Sequence, residues 1–152
     1  MIYSLTYRMT GSFADAEDLA QEAFIRAYRH IGAYRAASKF STWLYRIAMN
    51  VCLNWRQRET QRVEVHANWA DRDGGRATTG ELAPTGSELG GHVHAALLKL
   101  PVKQRAAIML TIYDGFNHAE AARILGCSET TVSWRVFVAR KRLKGWLSAD
   151  RE

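Results

Sequence analysis

Residues 117–139 read NHAEAARILGCSETTVSWRVFVA, and the fold turns on this stretch. Asn117 and Glu120 stand at capping-box spacing, which predicts a short helix over Ala119–Leu125. Gly126 suits the left-handed turn that closes such a helix. Ser128 then caps a longer helix. Its inward residues are Val132, Val136, Ala139, Leu143 and either Trp146 or Leu147, in alternating steps of four and three. A short Ala-rich helix, a glycine turn, a small capping residue and a longer helix make a helix-turn-helix. The outer face of the second helix carries Thr130, Thr131, Ser133, Trp134 and Arg135 near its start. Arg140, Lys141, Arg142 and Lys144 follow. Polar groups at the start of such a helix reach base edges in a major groove, and later cations suit phosphates. A helical hairpin with a basic solvated surface would explain the charge. It would not explain why caps, glycine and core spacing agree.

Just upstream, Pro101 suits the first turn of a helix. That helix runs through Val102, Ala106, Ile108, Met109, Leu110 and Ile112 and ends at Asp114–Gly115.

The N-terminal part is also helical by pattern. Ser12 or Asp15 can cap a helix, with Asp15, Glu17 and Asp18 in its first turn, where carboxylates suit the macrodipole. Ala16, Leu19, Ala20, Ala23, Phe24, Ala27, Tyr28 and Ile31 form one apolar face, and Gly32 suits the helix end. A second helix starts after Ser41, with Phe40 placed to staple against Tyr45. Its inner face is Leu44, Ile47, Ala48, Val51, Cys52 and Trp55. Trp43, Arg46, Asn50 and Asn54 share another face. An aromatic, a cation and two amides in one row can stack on bases, neutralise phosphate and hydrogen-bond base edges. The same row also fits a solvated face with one half-buried Trp.

Charge divides the 152-residue chain into three. Residues 1–62 are net +4, residues 63–92 net −3 and residues 93–152 net +5, for a total of +6. The acidic middle holds Asp71–Gly75, Thr78–Gly80, Pro84, Gly86, Gly90 and Gly91, the composition of a flexible linker. The expected fold is therefore all-α: two small helical domains, 1–62 and 93–152, joined by a flexible acidic linker, 63–92. A composition 47% hydrophobic and 24% charged excludes wholesale disorder. No apolar run reaches the roughly 18 residues of a membrane span, so no membrane insertion is expected, and nothing resembles a signal peptide. Excess positive charge points to a polyanionic partner.

Two stretches resemble the extracytoplasmic-function (ECF) sigma factors of RNA polymerase. DAEDLAQEAF at 15–24 and FSTWLYRIA at 40–48 resemble the family's first domain. Leu100–Pro101, AARILG at 121–126, Thr131–Val132 and ARKRL at 139–143 resemble its second. The resemblance implies a protein that binds core RNA polymerase and promoter DNA, melts the −10 element and reads the −35 element. It implies polymerase docking through Asp18, Gln21, Glu22 and Arg26. It implies −10 binding by the Tyr34–Ser41 loop and the following helix, through Arg35, Lys39, Trp43, Arg46, Asn50 and Asn54. It assigns −35 binding to Thr130, Thr131, Ser133, Trp134, Arg135, Arg140 and Arg142. The acidic linker would run toward the RNA path. An anti-sigma factor is a further implied partner, and the cytoplasm the implied location. Two departures stand out. Family members have further helix before Tyr3–Thr10, which implies a shortened chain with part of the Leu19–Ile31 face uncovered. Many carry Lys-Ser-Arg where this chain has Ser133-Trp134-Arg135, which favours Arg135 over its neighbours as a DNA contact.

Other chemistry is sparse. His92 and His94 alternate at the linker edge with no carboxylate or thiol partner nearby, the pattern of ordinary surface histidines. His118 is expected to face solvent. Cys52 and Cys127 fit small core residues better than redox switches. There is no Gly-rich phosphate loop, Ser–His–Asp set or metal-binding histidine pair, so neither enzyme activity nor a cofactor is expected. Two other functions fit parts of the pattern. One is a stand-alone helix-turn-helix regulator with an N-terminal dimerisation or sensing module. The other is an adaptor that binds a protein through Asp15–Ile31.

Overall fold

The computed structural model describes residues 1–70 and 88–149, and all the regular structure among them is helical. Helix α1 (Ile2–Thr10) ends at Gly11, whose φ of 74° is left-handed and whose N–H bonds to Tyr7 O. Ser12 caps α2 (Phe13–His30) by accepting from Asp15 N. A 3-10 turn (Ile31–Ala33) and a loop lead to α3 (Phe40–Ala70). Then come α4 (Glu88–Lys99), α5 (Val102–Ile108), a wide π-helical turn (Met109–Tyr113), α6 (His118–Leu125) and α7 (Glu129–Ala149). Helix occupies both margins of the acidic segment, whose centre, 71–87, lies outside the described residues.

The helix-turn-helix forms as its local signals dictate. Asn117 Oδ1 accepts from Glu120 N at 2.8 Å, and Glu120 Oε2 accepts from Asn117 N at 3.0 Å. Gly126 is left-handed with φ 65°. Ser128 Oγ accepts from Thr131 N at 3.2 Å. Val132, Val136 and Ala139 are buried.

The two basic parts share one apolar core. Tyr45, Met49 and Val51 of α3 join Leu110, Ala121 and Ile124 in it. Helix α3 packs along α6, and α1 touches α4 and α5. Arg105 ties the joint. Only 2% exposed, it donates from Nε to Leu97 O at 2.9 Å, from Nη1 to Met9 O at 2.6 Å and from Nη2 to Leu98 O and Leu100 O. Met9 O is one of the carbonyls that the end of α1 leaves without a helical partner. Burial lowers the Arg105 pKa to about 10, so it remains charged near neutral pH. Gly11 lies so close to Leu98 that a Cβ there would sit 2.7 Å from Leu98 Cδ1.

Several expected contacts are rearranged. Phe24, Tyr28 and Ile31 are exposed, Tyr28 by 82%, because the buried stripe of α2 is the narrower Ala16, Leu19, Ala20, Ala23, Ala27. Ile112 is exposed too. Phe40 packs on Tyr34 and Trp43 and does not staple Tyr45. Tyr45 instead meets Phe116 edge-on at 4.8 Å. Its hydroxyl lies beside Asp114 without a well-formed hydrogen bond, and burial, then that carboxylate, pushes its pKa up to about 12. Asp114 Oδ2 is buried with no donor, and Oδ1 lies 3.9 Å from Arg8. Burial raises the Asp114 pKa.

Candidate nucleic-acid interface

The first face begins in the loop before α3. Tyr34 donates its hydroxyl to Ser38 O at 2.8 Å, which closes the loop around left-handed Ala36. Tyr34, Phe40 and Trp43 then form an aromatic cluster with ring centroids 5.4–5.5 Å apart. Trp43 is half-buried, while Arg46, Asn50 and Asn54 follow it along α3 and are exposed. Arg35 is exposed. Lys39 reaches Glu120 of α6 at 3.7 Å. The structure thus brings Trp43, Arg46, Asn50 and Asn54 into one row. Tyr34 and Phe40 are additions to it, since the loop conformation that stacks them on Trp43 has no periodic signal in sequence.

The second face is α7. Thr130 and Trp134 point to solvent. Thr131 is engaged by Ser128 Oγ at 2.8 Å, and Ser133 Oγ lies 2.7 Å from His118 Nδ1. His118 is therefore half-buried and orients a face residue; it does not simply face solvent. Arg135 is half-buried and turns toward Cys127 Sγ at 3.7 Å, a weak contact, so it flanks the exposed row. Arg140 and Arg142 are exposed. Phe137, not marked by its polarity, is 67% exposed on this face.

A third surface lies on α2. Asp18 and Gln21 are exposed, and Glu22 pairs with Arg26. The exposed Phe24, Ile25, Tyr28 and Ile31 extend along the same helix.

The histidine pattern needs one correction. His92 is exposed, but both histidines lie on α4, and His94 stacks on Tyr7 at 5.0 Å with Nε2 buried and unpartnered. Burial, then the charges of Arg105 and Arg8, lower its pKa. Cys52 is buried in the core, which pushes its thiol up to about 12. Among the described residues no three His, Cys, Asp or Glu side chains could hold a metal ion, and no helix is long and apolar enough to cross a membrane.

The family pattern of Sigma-70 region 2 matches residues 1–62, and that of Sigma-70 region 4 matches residues 92–143. ECF RNA polymerase sigma factor SigW of Bacillus subtilis is 36% identical over 94% of this chain and 81% of its own length. The chain belongs to the ECF sigma factors. SigE of Mycolicibacterium smegmatis is 36% identical over 97% of the chain, which spans 57% of that relative. Two solved sigma-factor structures superpose on 98% of the sigma factor. RpoE bound to the anti-sigma factor NepR, from Bartonella quintana, has a TM-score of 0.80 at 28% identity and is covered over 91%. CnrH bound to the cytosolic domain of CnrY has a TM-score of 0.68 at 26% identity and is covered over 82%. The sigma factor directs promoter-specific initiation by RNA polymerase, and a regulator acting without polymerase is not favoured. Sigma factors are in general initiation factors without catalysis of their own.

Proposed function

We propose a division of labour over three surfaces and two domains, 1–62 and 93–152. Helix α2 docks on the clamp helices of the polymerase largest subunit through Asp18, Gln21, Glu22 and Arg26. The Tyr34–Ser41 loop and α3 capture an unpaired −10 base: Tyr34, Phe40 and Trp43 stack, Asn50 and Asn54 hydrogen-bond, and Arg35, Lys39 and Arg46 neutralise phosphate. Helix α7 reads the −35 duplex with Thr130, Thr131, Ser133 and Trp134, with Arg135 at the margin and Arg140 and Arg142 on the backbone. An anti-sigma factor, the partner named for RpoE, covers one or more of these surfaces in the cytoplasm. Base extrusion costs a few kcal/mol, which stacking and hydrogen bonding offset.

The observation that carries this reading is the aromatic cluster at the head of the Trp43–Asn54 row. A protein that reads only duplex DNA has no use for it. The test compares Trp43→Ala and Asn50→Ala on single-stranded −10 DNA and on duplex −35 DNA. Stacking is worth roughly 1–3 kcal/mol per base, so Trp43→Ala should lose about tenfold on the single strand and little on the duplex. Equal losses on both would make Trp43 a structural residue.

A further inference from the structure

Trp134 and Phe137 stand one turn apart on the outward side of α7, 60% and 67% exposed. The helix is anchored without them, through Val132, Val136 and Ala139. Two large aromatics held in water gain free energy only when they meet apolar surface. They share their side with Thr130 and Ser133, and Arg140, Lys141 and Lys144 continue it toward the C-terminus. That cationic setting selects a polyanion. The apolar group a duplex offers in its major groove is the thymine C5-methyl. We infer that Trp134 and Phe137 are a thymine-methyl reader, with Phe137 a specificity-determining residue of the −35 contact. The inference rests on α7 being the −35 reader.

The test uses the full chain with core polymerase and a −35 duplex enriched from a promoter library. Each thymine is replaced in turn by deoxyuridine, which removes the methyl and leaves base pairing intact. At one or two positions the swap should weaken binding roughly fourfold, the worth of one buried carbon. The swap should cost nothing further in Phe137→Ala or Trp134→Ala chains of unchanged helical content. Equal loss in wild type and both variants, or no loss at all, overturns the reader. If neutralising Arg140 and Arg142 also leaves duplex affinity unchanged, α7 is not the DNA contact and the functional reading fails with it.

Discussion

In α6 and at the start of α7 each boundary is made by a neighbour in sequence: Asn117 with Glu120, Gly126 at the turn, Ser128 with Thr131. Helix α3 is held differently. Its register against the core comes from Tyr45, which packs on Phe116 of the far half of the chain, and from Met49, which is fully buried. Its reading face is completed by a loop that folds Tyr34 back over Trp43. The proposed −35 reader is thus locally encoded, and the proposed −10 platform is tertiary. Damage should spread accordingly: loss of a distant partner reaches the whole molecule, and loss of a cap stays within the helix-turn-helix.

The largest effect is expected at the joint. Arg105→Ala removes the side-chain donor of the Met9, Leu98 and Leu100 carbonyls and leaves Leu97 O with Leu100 N alone. We expect a loss of about 3–5 kcal/mol by denaturant unfolding. It should appear in both halves at once, with hydrogen exchange rising in α1 and α5 together. A loss confined to α4 and α5 would mean that the halves are independent.

A smaller and more local effect is expected at Asn117. Asn117→Ala removes the capping box and should cost about 1 kcal/mol. Faster exchange should be confined to α6 and the start of α7, with α2 and α3 unaffected. Spread into α3 would make the helix-turn-helix as tertiary as the platform.

The third effect is a pH dependence at the joint. The folded-state pKa of His94 is lowered, so its contribution is present above the ordinary imidazole value of 6.5 and is lost as pH falls below it. Asp114 works in the opposite sense. Its raised folded pKa makes its contribution greatest at low pH, and that contribution fades as pH rises through the raised value. Thermal midpoints should therefore drop on acidification below the imidazole value, and Asp114→Asn should remove the opposing gain that appears as pH falls through the raised Asp114 value. His94→Phe, which keeps the stack on Tyr7, should flatten the drop. Curves unchanged by His94→Phe would remove this histidine from the acid response.

Reading the sequence succeeded where interactions are short in range. The capping box, the left-handed Gly126, Ser12 as a cap, and Val132, Val136 and Ala139 as core all follow from spacing. It failed where a distant segment chooses the side chain's neighbour. Phe40 has the staple spacing to Tyr45, yet Phe116 takes Tyr45 and the loop takes Phe40. Phe24, Tyr28 and Ile31 continue an apolar period that the narrow Ala-rich stripe does not need. His94 looks like a linker residue until Tyr7 covers it. Of the candidate site, the Trp43–Asn54 row and the outward Thr130 and Trp134 were legible. The inward turn of Arg135 toward Cys127 and the exposure of Phe137 were not.

The central claim is that one chain joins a single-strand −10 platform to a duplex −35 reader and delivers both to polymerase. It is tested most directly by mixing the full chain with core polymerase and a promoter library and sequencing the transcripts. The account predicts start sites downstream of a bipartite motif, with one block lost in Trp43→Ala and the other altered in Trp134→Ala. It predicts little transcript from an Asp18→Lys, Glu22→Lys chain of unchanged helical content. Transcription indifferent to all of these substitutions, or binding to a palindrome without polymerase, would contradict it.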